Sequence, residues 1–300
     1  MTSLPPFPRR SNLLMPVDVP RFIAKAATTG ADSITLDLED SIVPAAKEAA
    51  RAFLQEAAHE VGRGGAAVLV RVNSDPRWLD DDLQAAVLQG IAGLAIPKVE
   101  SADVVRAIDA RIGVLEHQRD IERGSIALSI AIETPMGVLR MEDIARASTR
   151  IRVMTIAPED YCLSIGVEPS ADGMELLYPV SRLVTVCRAY GIAPVGLVGS
   201  VTGYRDLAAF EAAARRARQL GCQAASCIHP DQVAVLNRVF APAAEDLAWA
   251  RRVVAAFEVA LANGTAAIGL EGHMIDPPAY RRAQAMLIRA GCFAASARFS

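Results

Sequence analysis

A (β/α)8 barrel with a C-terminal helix–hairpin–helix extension is the fold this 300-residue sequence predicts. Three observations predict it. Eight short apolar runs alternate with helical patterns, polar groups cluster where those runs end, and no repeat or Gly/Ser linker interrupts the chain before about residue 240. Strands buried on both faces read as continuous apolar runs, and alternation with helices implies βαβ units. Eight units in about 230 residues fit a closed barrel better than an open doubly wound sheet.

The runs, in order, are Leu13–Pro16, Ser33–Leu38, Ala66–Val72, Gly93–Ile96, Ile126–Ile132, Arg152–Ala157, Pro194–Gly199 and Ala224–Ile228. Helical stretches such as PRFIAKAATTGA, AAKEAARAFLQEAAHEV, SADVVRAIDARI and DLAAFEAAARRARQLG lie between them. The first run is short and the seventh is rich in glycine, so an open sheet stays possible at this point. Residues 1–240 are assigned to the barrel and 241–300 to the extension. In the extension, AAEDLAWARRVVAAFEVALANG reads as a helix closed by Gly264. TAAIGLEGHMID then gives two short strands around Glu271-Gly272, and Pro277-Pro278 opens a last helix. Such an extension is expected to pack on the outside of a barrel or against a neighbouring subunit.

A barrel demands that catalytic groups gather at strand C-termini. Asp37, Glu39 and Asp40 follow the second run, Arg71 and Asn73 the third, Lys98 the fourth, Glu133 the fifth, Glu159-Asp160 the sixth and His229 the eighth. Carboxylates from several strands, with no histidine or cysteine beside them, suit a hard oxygen-seeking cation such as Mg2+. Zinc is disfavoured, because the four histidines lack ligand spacing. A cation with an arginine is the equipment for making an enolate. Each residue also has a structural reading: Glu133 and Asp160 as caps, Lys98 in an ion pair, His229 shaping a loop, Asp37 as a buried partner. Asp276, before two prolines, reads by itself as an N-cap.

The totals exclude several classes. A net charge of −3 with no basic cluster larger than a pair argues against nucleic acid. No apolar run approaches the ~18 residues of a membrane span. MTSLPPFPRRSNLL lacks the apolar centre of a signal peptide, and five cysteines without a CxxC pair do not form a disulfide framework, so a reducing cytoplasm is expected. No dinucleotide or P-loop motif is present.

RSNLLMPVDVPRFIAKAATTGADSITLDLEDSIVPAAKEAAR, LVRVN, AIPKVE, IETPMGV, PEDYCLSIGVEP, CIHPDQVAVLNRVFAP and GHMIDPP stand in this order along the chain. With them the sequence resembles the citrate lyase β-subunit-like family, which includes malyl-CoA and citramalyl-CoA lyases. The resemblance implies a TIM barrel assembled as a homotrimer or a hexamer. It implies Mg2+-dependent making or breaking of a carbon–carbon bond between an acyl thioester, on CoA or a carrier, and a small keto acid. By the same resemblance Glu133 and Asp160 hold the metal. Arg71 contacts substrate oxygens, and Glu39 and Asp40 lie near the metal's waters; from their place at strand ends, Glu133 and Lys98 are also expected to touch substrate. Asp276 acts as acid or base from a neighbouring subunit.

Departures from the family pattern fall at Met15-Pro16-Val17, Val195-Gly196 and Ala225-Ser226-Cys227, near where the family places the thioester. They keep two alternatives open: a class II pyruvate-type aldolase acting on free hydroxy-keto acids, and a non-catalytic subunit of a lyase complex.

Overall fold

The computed structural model describes residues 10–296. The N-terminal segment read for targeting, with Arg9 of the Arg9-Arg10 pair, and the Cys292 side chain lie outside the described residues. Two compact units meet between Phe240 and Ala241.

The first unit is built on eight parallel strands: β1 (Ser11–Pro16), β2 (Ser33–Asp37), β3 (Ala67–Arg71), β4 (Ile91–Ile96), β5 (Ala127–Ile132), β6 (Ile151–Ile156), β7 (Ala193–Val195) and β8 (Ala225–Cys227). Each pairs with its neighbour in sequence, and β1 also pairs with β8 through Ser11–Leu13 and Ala225–Cys227. The remaining gap is bridged by a parallel Val195–Ala224 contact, with Gly196 N donating to Ala224 O and Gln223 N to Pro194 O. The sheet is therefore a barrel, and the open-sheet alternative falls away. Every predicted strand is present. β7 is shorter than Pro194–Gly199, because the chain leaves the sheet at Gly196 and reaches Gly199 in a backbone conformation (φ +142°) open to glycine.

Large aliphatic side chains such as Ile34, Leu36, Leu94, Ile130, Met154 and Leu236 fill the shell between sheet and helices and are wholly buried. The inner face is different. Asn12, Ser33, Ser129, Thr155 and Ser226 line a cavity of about 40 Å³ on the barrel axis. Asn12 ties three strands there, its Oδ1 accepting from Ser33 and Thr35 and its Nδ2 donating to Ser226. Leu69, Val153, Val195 and Ala224 complete the cavity wall, so polar groups share this interior with the branched aliphatic side chains usual in such barrels.

At the N-terminal end of the strands, Arg150 and Glu116 form a buried fork, Nη1 to Oε1 at 2.7 Å and Nη2 to Oε2 at 2.6 Å. The same carboxylate accepts from the amides of Gly124 and Ile126, and Arg150 also binds Asp109. This group fixes the starts of β5 and β6.

The second unit holds a helix Ala244–Ala262, a hairpin of β9 (Ile268–Leu270) and β10 (His273–Ile275), and a helix Pro277–Ser296. Glu271 and Gly272 both have positive φ, as a two-residue hairpin turn of this hand requires. The unit has its own apolar centre in Val253, Phe257 and Ile275, with Phe257 stacked on Tyr280 at 4.9 Å.

Breaking the buried Arg150–Glu116 fork from one side leaves a charge without its partner, so Arg150→Ala is expected to cost about 3–5 kcal/mol in urea unfolding. Burial would raise the Glu116 carboxyl, but Arg150 and the two amides outweigh it and hold it below its ordinary 4.5. A depressed acid contributes stability above its unfolded value and loses it as pH falls through the folded one. Unfolding free energy should therefore drop below about pH 4.5, and the drop should be shallower in Glu116→Gln.

Candidate active site

Asp37 ends β2 and is fully buried. Its carboxylate receives the Arg71 fork from the end of β3, Nε to Oδ1 at 2.6 Å and Nη2 to Oδ2 at 2.8 Å. It also accepts from the amides of Glu39 at 2.9 Å and Ser41 at 3.0 Å, so one side chain both aims the arginine and shapes the turn behind it. Burial alone would raise Asp37; Arg71, with Ser41 and the Glu39 amide, holds it below the usual carboxylate range. Burial would likewise lower the Arg71 guanidinium, and the surrounding carboxylates raise it instead.

That turn carries Glu39 and Asp40. Glu39 is buried between two cations: Arg71 Nη1 lies 2.9 Å from Oε2, and Lys98 Nζ lies 2.5 Å from Oε1. The Arg71 contact is off the N–H direction, which leaves Oε2 without a hydrogen bond. Burial pushes the Glu39 carboxyl up, Arg71 and Lys98 pull it down, and Asp40 adds to the rise; the net direction is upward. Asp40 is exposed and reaches Lys98 at 3.2 Å. Lys98 thus forms the ion pair that was its structural reading, and it does so with two acids at once.

Glu133 follows β5 and is 3% exposed. Its reading as an N-cap is set aside by the residue after it. Thr134 caps the helix Pro135–Leu139 by accepting from the Gly137 amide, with Pro135 in the first turn. The Glu133 carboxylate is left to face the barrel mouth and makes no ion pair among the described residues. Burial pushes it up, the charges of Asp160 and Glu39 push the same way, Lys98 pulls back, and the result stands at about 8. Asp160 sits half-buried in the first turn of the helix Pro158–Ser164 and caps nothing. Its neighbour Glu159 faces elsewhere, accepting from Ser200 Oγ at 2.6 Å and the Val201 amide at 3.0 Å.

A buried carboxylate crowded by two others is what a divalent cation compensates. Among the described residues no three His, Cys, Asp or Glu side chains converge as a ready-made cage. Two carboxylates with an open side do suit Mg2+, which keeps waters and substrate oxygens in its shell. The donor chemistry of Glu133 and Asp160 therefore fits the expected metal.

Behind these residues Asn73, expected at the end of β3, joins three side chains with no strand-end position, Asp82, Lys47 and Arg51. Asp82 is buried and accepts from the Asn73 amide and side chain, at 2.8 and 2.6 Å, and from Arg51 at 2.7 Å. Asn73 donates to Leu38 O at 2.9 Å. Lys47, also buried, donates to Leu38 O and Glu39 O at 3.0 and 2.8 Å beneath the Trp78 ring. Together they hold the turn bearing Glu39 and Asp40. A charged Lys47 and Arg51 on the helical KEAAR segment, one turn apart, are the one signal that could have pointed there.

His229 shapes its loop as its structural reading held: it stacks on Tyr204 at 5.0 Å, and its Nδ1 accepts from the Asp231 amide. Asp276 belongs to the second unit, where Oδ1 accepts from the Ala279 amide at 2.9 Å and caps the last helix.

The chain matches known proteins over most of its length. Residues 10–230 match the HpcH/HpaI aldolase/citrate lyase family. The chain is 33% identical over 280 residues to the citrate lyase subunit beta of Leuconostoc mesenteroides subsp. cremoris, covering 93% of this chain and 92% of that one. It is also 33% identical to the L-malyl-CoA/beta-methylmalyl-CoA lyase of Rhodobacter capsulatus, covering 95% and 96%. Its backbone is similar to protein CitE of Mycobacterium tuberculosis, solved in complex with magnesium, acetoacetate and coenzyme A. The TM-score is 0.73 at 29% identity, covering 94% of this chain and 97% of that one. A (β/α)8 barrel with these strand-end residues, matched over most of its length, belongs to the HpcH/HpaI aldolase/citrate lyase family.

Proposed function

We propose that this protein is a Mg2+-dependent carbon–carbon lyase that cleaves or forms a bond between an acyl thioester of CoA and a small keto acid. The observation that carries the reading is the buried Glu133 carboxylate. It lies beside Asp160 at a barrel mouth where Arg71 is already locked by Asp37. The names of the relatives support it, citrate lyase subunit beta and malyl-CoA/beta-methylmalyl-CoA lyase, as do the magnesium, acetoacetate and coenzyme A in the CitE complex.

In this reading Glu133 and Asp160 hold Mg2+, which when bound polarises a carbonyl and offsets negative charge developing on oxygen. Arg71 supplies a fixed positive charge for the same oxygens, and its rigid fork on Asp37 spares reorganisation during the reaction. In the cleavage direction the β-hydroxyl gives up its proton to the acidic pair Glu39–Asp40. The carbon–carbon bond breaks, its electrons pass to the acyl carbonyl, and Asp276 from a neighbouring subunit protonates the α-carbon. The active assembly is then a homotrimer or a hexamer, because each site borrows its proton donor.

The departures at Val17, Val195-Gly196 and Ala225–Cys227 favour one competing reading, an aldolase for free hydroxy-keto acids. A panel of acetyl-CoA, propionyl-CoA and free acids with glyoxylate, pyruvate and oxaloacetate separates them. Turnover of a thioester that stops on chelation is the expected result; silence with every thioester and activity on free acids would replace it.

Three variants test the assignments. An acid whose folded value is raised from about 4.5 to about 8 destabilises the metal-free fold progressively across that window as pH rises. Metal-free thermal melts should therefore show a stability loss between about pH 4.5 and 8 that Mg2+ reverses and Glu133→Gln lacks, while Glu133→Gln also weakens Mg2+ binding. For the shared site, Arg71→Ala and Asp276→Asn should each be inactive. Refolded together in equal amounts, they should recover roughly a quarter of wild-type activity, the fraction of sites that draw an intact barrel and an intact tail.

A further inference from the structure

Lys98 has a left-handed backbone, φ +55°. For a residue with a side chain this conformation persists only where the surroundings hold it. They do so here from both sides. Val99 N donates to Ala131 O, and Gly137 comes so close that a Cβ on it would stand 2.8 Å from Val99 O. If the turn served only the backbone, glycine would occupy it without strain. A lysine there points to work for the side chain.

The left-handed turn lets one residue serve both halves of the site. Its amide faces the Glu133 carboxylate. Its ammonium goes the other way, 2.5 Å from Glu39 Oε1 and 3.2 Å from Asp40 Oδ1. Glu39 is near enough to Glu133 for its charge to be felt there, yet the described acids do not assemble into a three-carboxylate cage. Arg71 and Lys98 together hold Glu39 away, and of the two only Lys98 is open to solvent and free of a second rigid anchor such as Asp37.

Resting on the proposed metal site, we infer that Lys98 reserves that site's open positions. Its ammonium occupies Glu39 and Asp40, so neither carboxylate joins the cation held by Glu133 and Asp160. The remaining coordination positions stay available to water and to substrate oxygens. Lys98 is on this account a positioning residue, not a substrate clamp. The site accepts weaker metal binding in exchange for an open cation.

The test reads the metal rather than turnover. Mg2+ affinity is measured by calorimetry, and Mn2+ serves as a second probe whose effect on water-proton relaxation reports how many waters the bound ion keeps. Lys98→Met and Lys98→Gly should both bind Mg2+ about tenfold more tightly and show a lower Mn2+ relaxation enhancement. Lys98→Arg should resemble wild type, because it keeps the charge. Lys98→Gly relieves the backbone strain, so a folding defect cannot mask the result. Adding Glu39→Gln to Lys98→Met should return the affinity towards wild type, because the competing ligand is gone. Unchanged or weaker Mg2+ binding in both Lys98→Met and Lys98→Gly would overturn the inference and leave the lyase reading standing. Failure of the wild type to bind Mg2+ would overturn both.

Discussion

Crowded negative charge at one end of the barrel is the constraint on which the rest of this structure depends. Asp37, Glu39, Asp40, Glu133 and Asp160 are carried to the same rim by β2, β5 and β6, and two cations face them. Arg71 and Lys98 form ion pairs with the first three. Glu133 is left with a carboxyl raised to about 8, a deficit that only a further cation or a proton can remove. Like charges held this close would fly apart on flexible loops. They stay together because each follows directly from a strand in a closed ring. The turn bearing two of them is fastened from behind by Asp82, Asn73 and Lys47. Fixed charges that need no rearrangement are worth most where new charge develops.

The two ends of the barrel carry opposite assignments of the same kind of group. At the N-terminal end Arg150 and Glu116 are fully matched, fork to carboxylate with two amides besides, and the result is structural. At the C-terminal end the matching is deliberately incomplete. A carboxylate with every partner in place cannot take a metal, so function requires that stability be forgone there and recovered elsewhere. Inside the ring Asn12 Oδ1 accepts from Ser33 and Thr35, so hydrogen bonds tie strands there beside a small apolar cluster of Val153, Ala193, Val195 and Ala224.

All eight strands were legible because strands buried on both faces are continuous apolar runs. Closure was legible only from the number of units in the chain, because the contacts that make it between β7 and β8 are one bridge and two backbone hydrogen bonds beside Gly196, which leave no apolar signature. The rim residues were legible from their place after each run, but their pairing was not. Asp37 and Arg71 lie 34 residues apart and Glu39 and Lys98 lie 59 apart, so only the fold brings them together. The cap at β5 could have been read correctly, since Thr134 before Pro135 is the better candidate than Glu133 and frees the glutamate. Asp82 had no such signal: in LDDDLQ three acids follow one another, and burial picks the third only once its helix has docked.

In the proposed mechanism one Asp276 side chain serves both as helix cap and as proton donor. Its Oδ1 accepts from the Ala279 amide, and Ile275 just before it is buried in the apolar centre of its own unit. The carboxylate is thereby pinned at one oxygen and at the backbone, while the second oxygen makes no hydrogen bond among the described residues. The rings of Pro277 and Pro278 fix their own φ angles, and neither residue has an N–H to compete for that oxygen. A proton donor must present one atom at a repeatable position, and an N-cap on a proline-led helix does this with very little chain. The capping bond that supports a structural role for Asp276 thus also suits the proton transfer proposed for it.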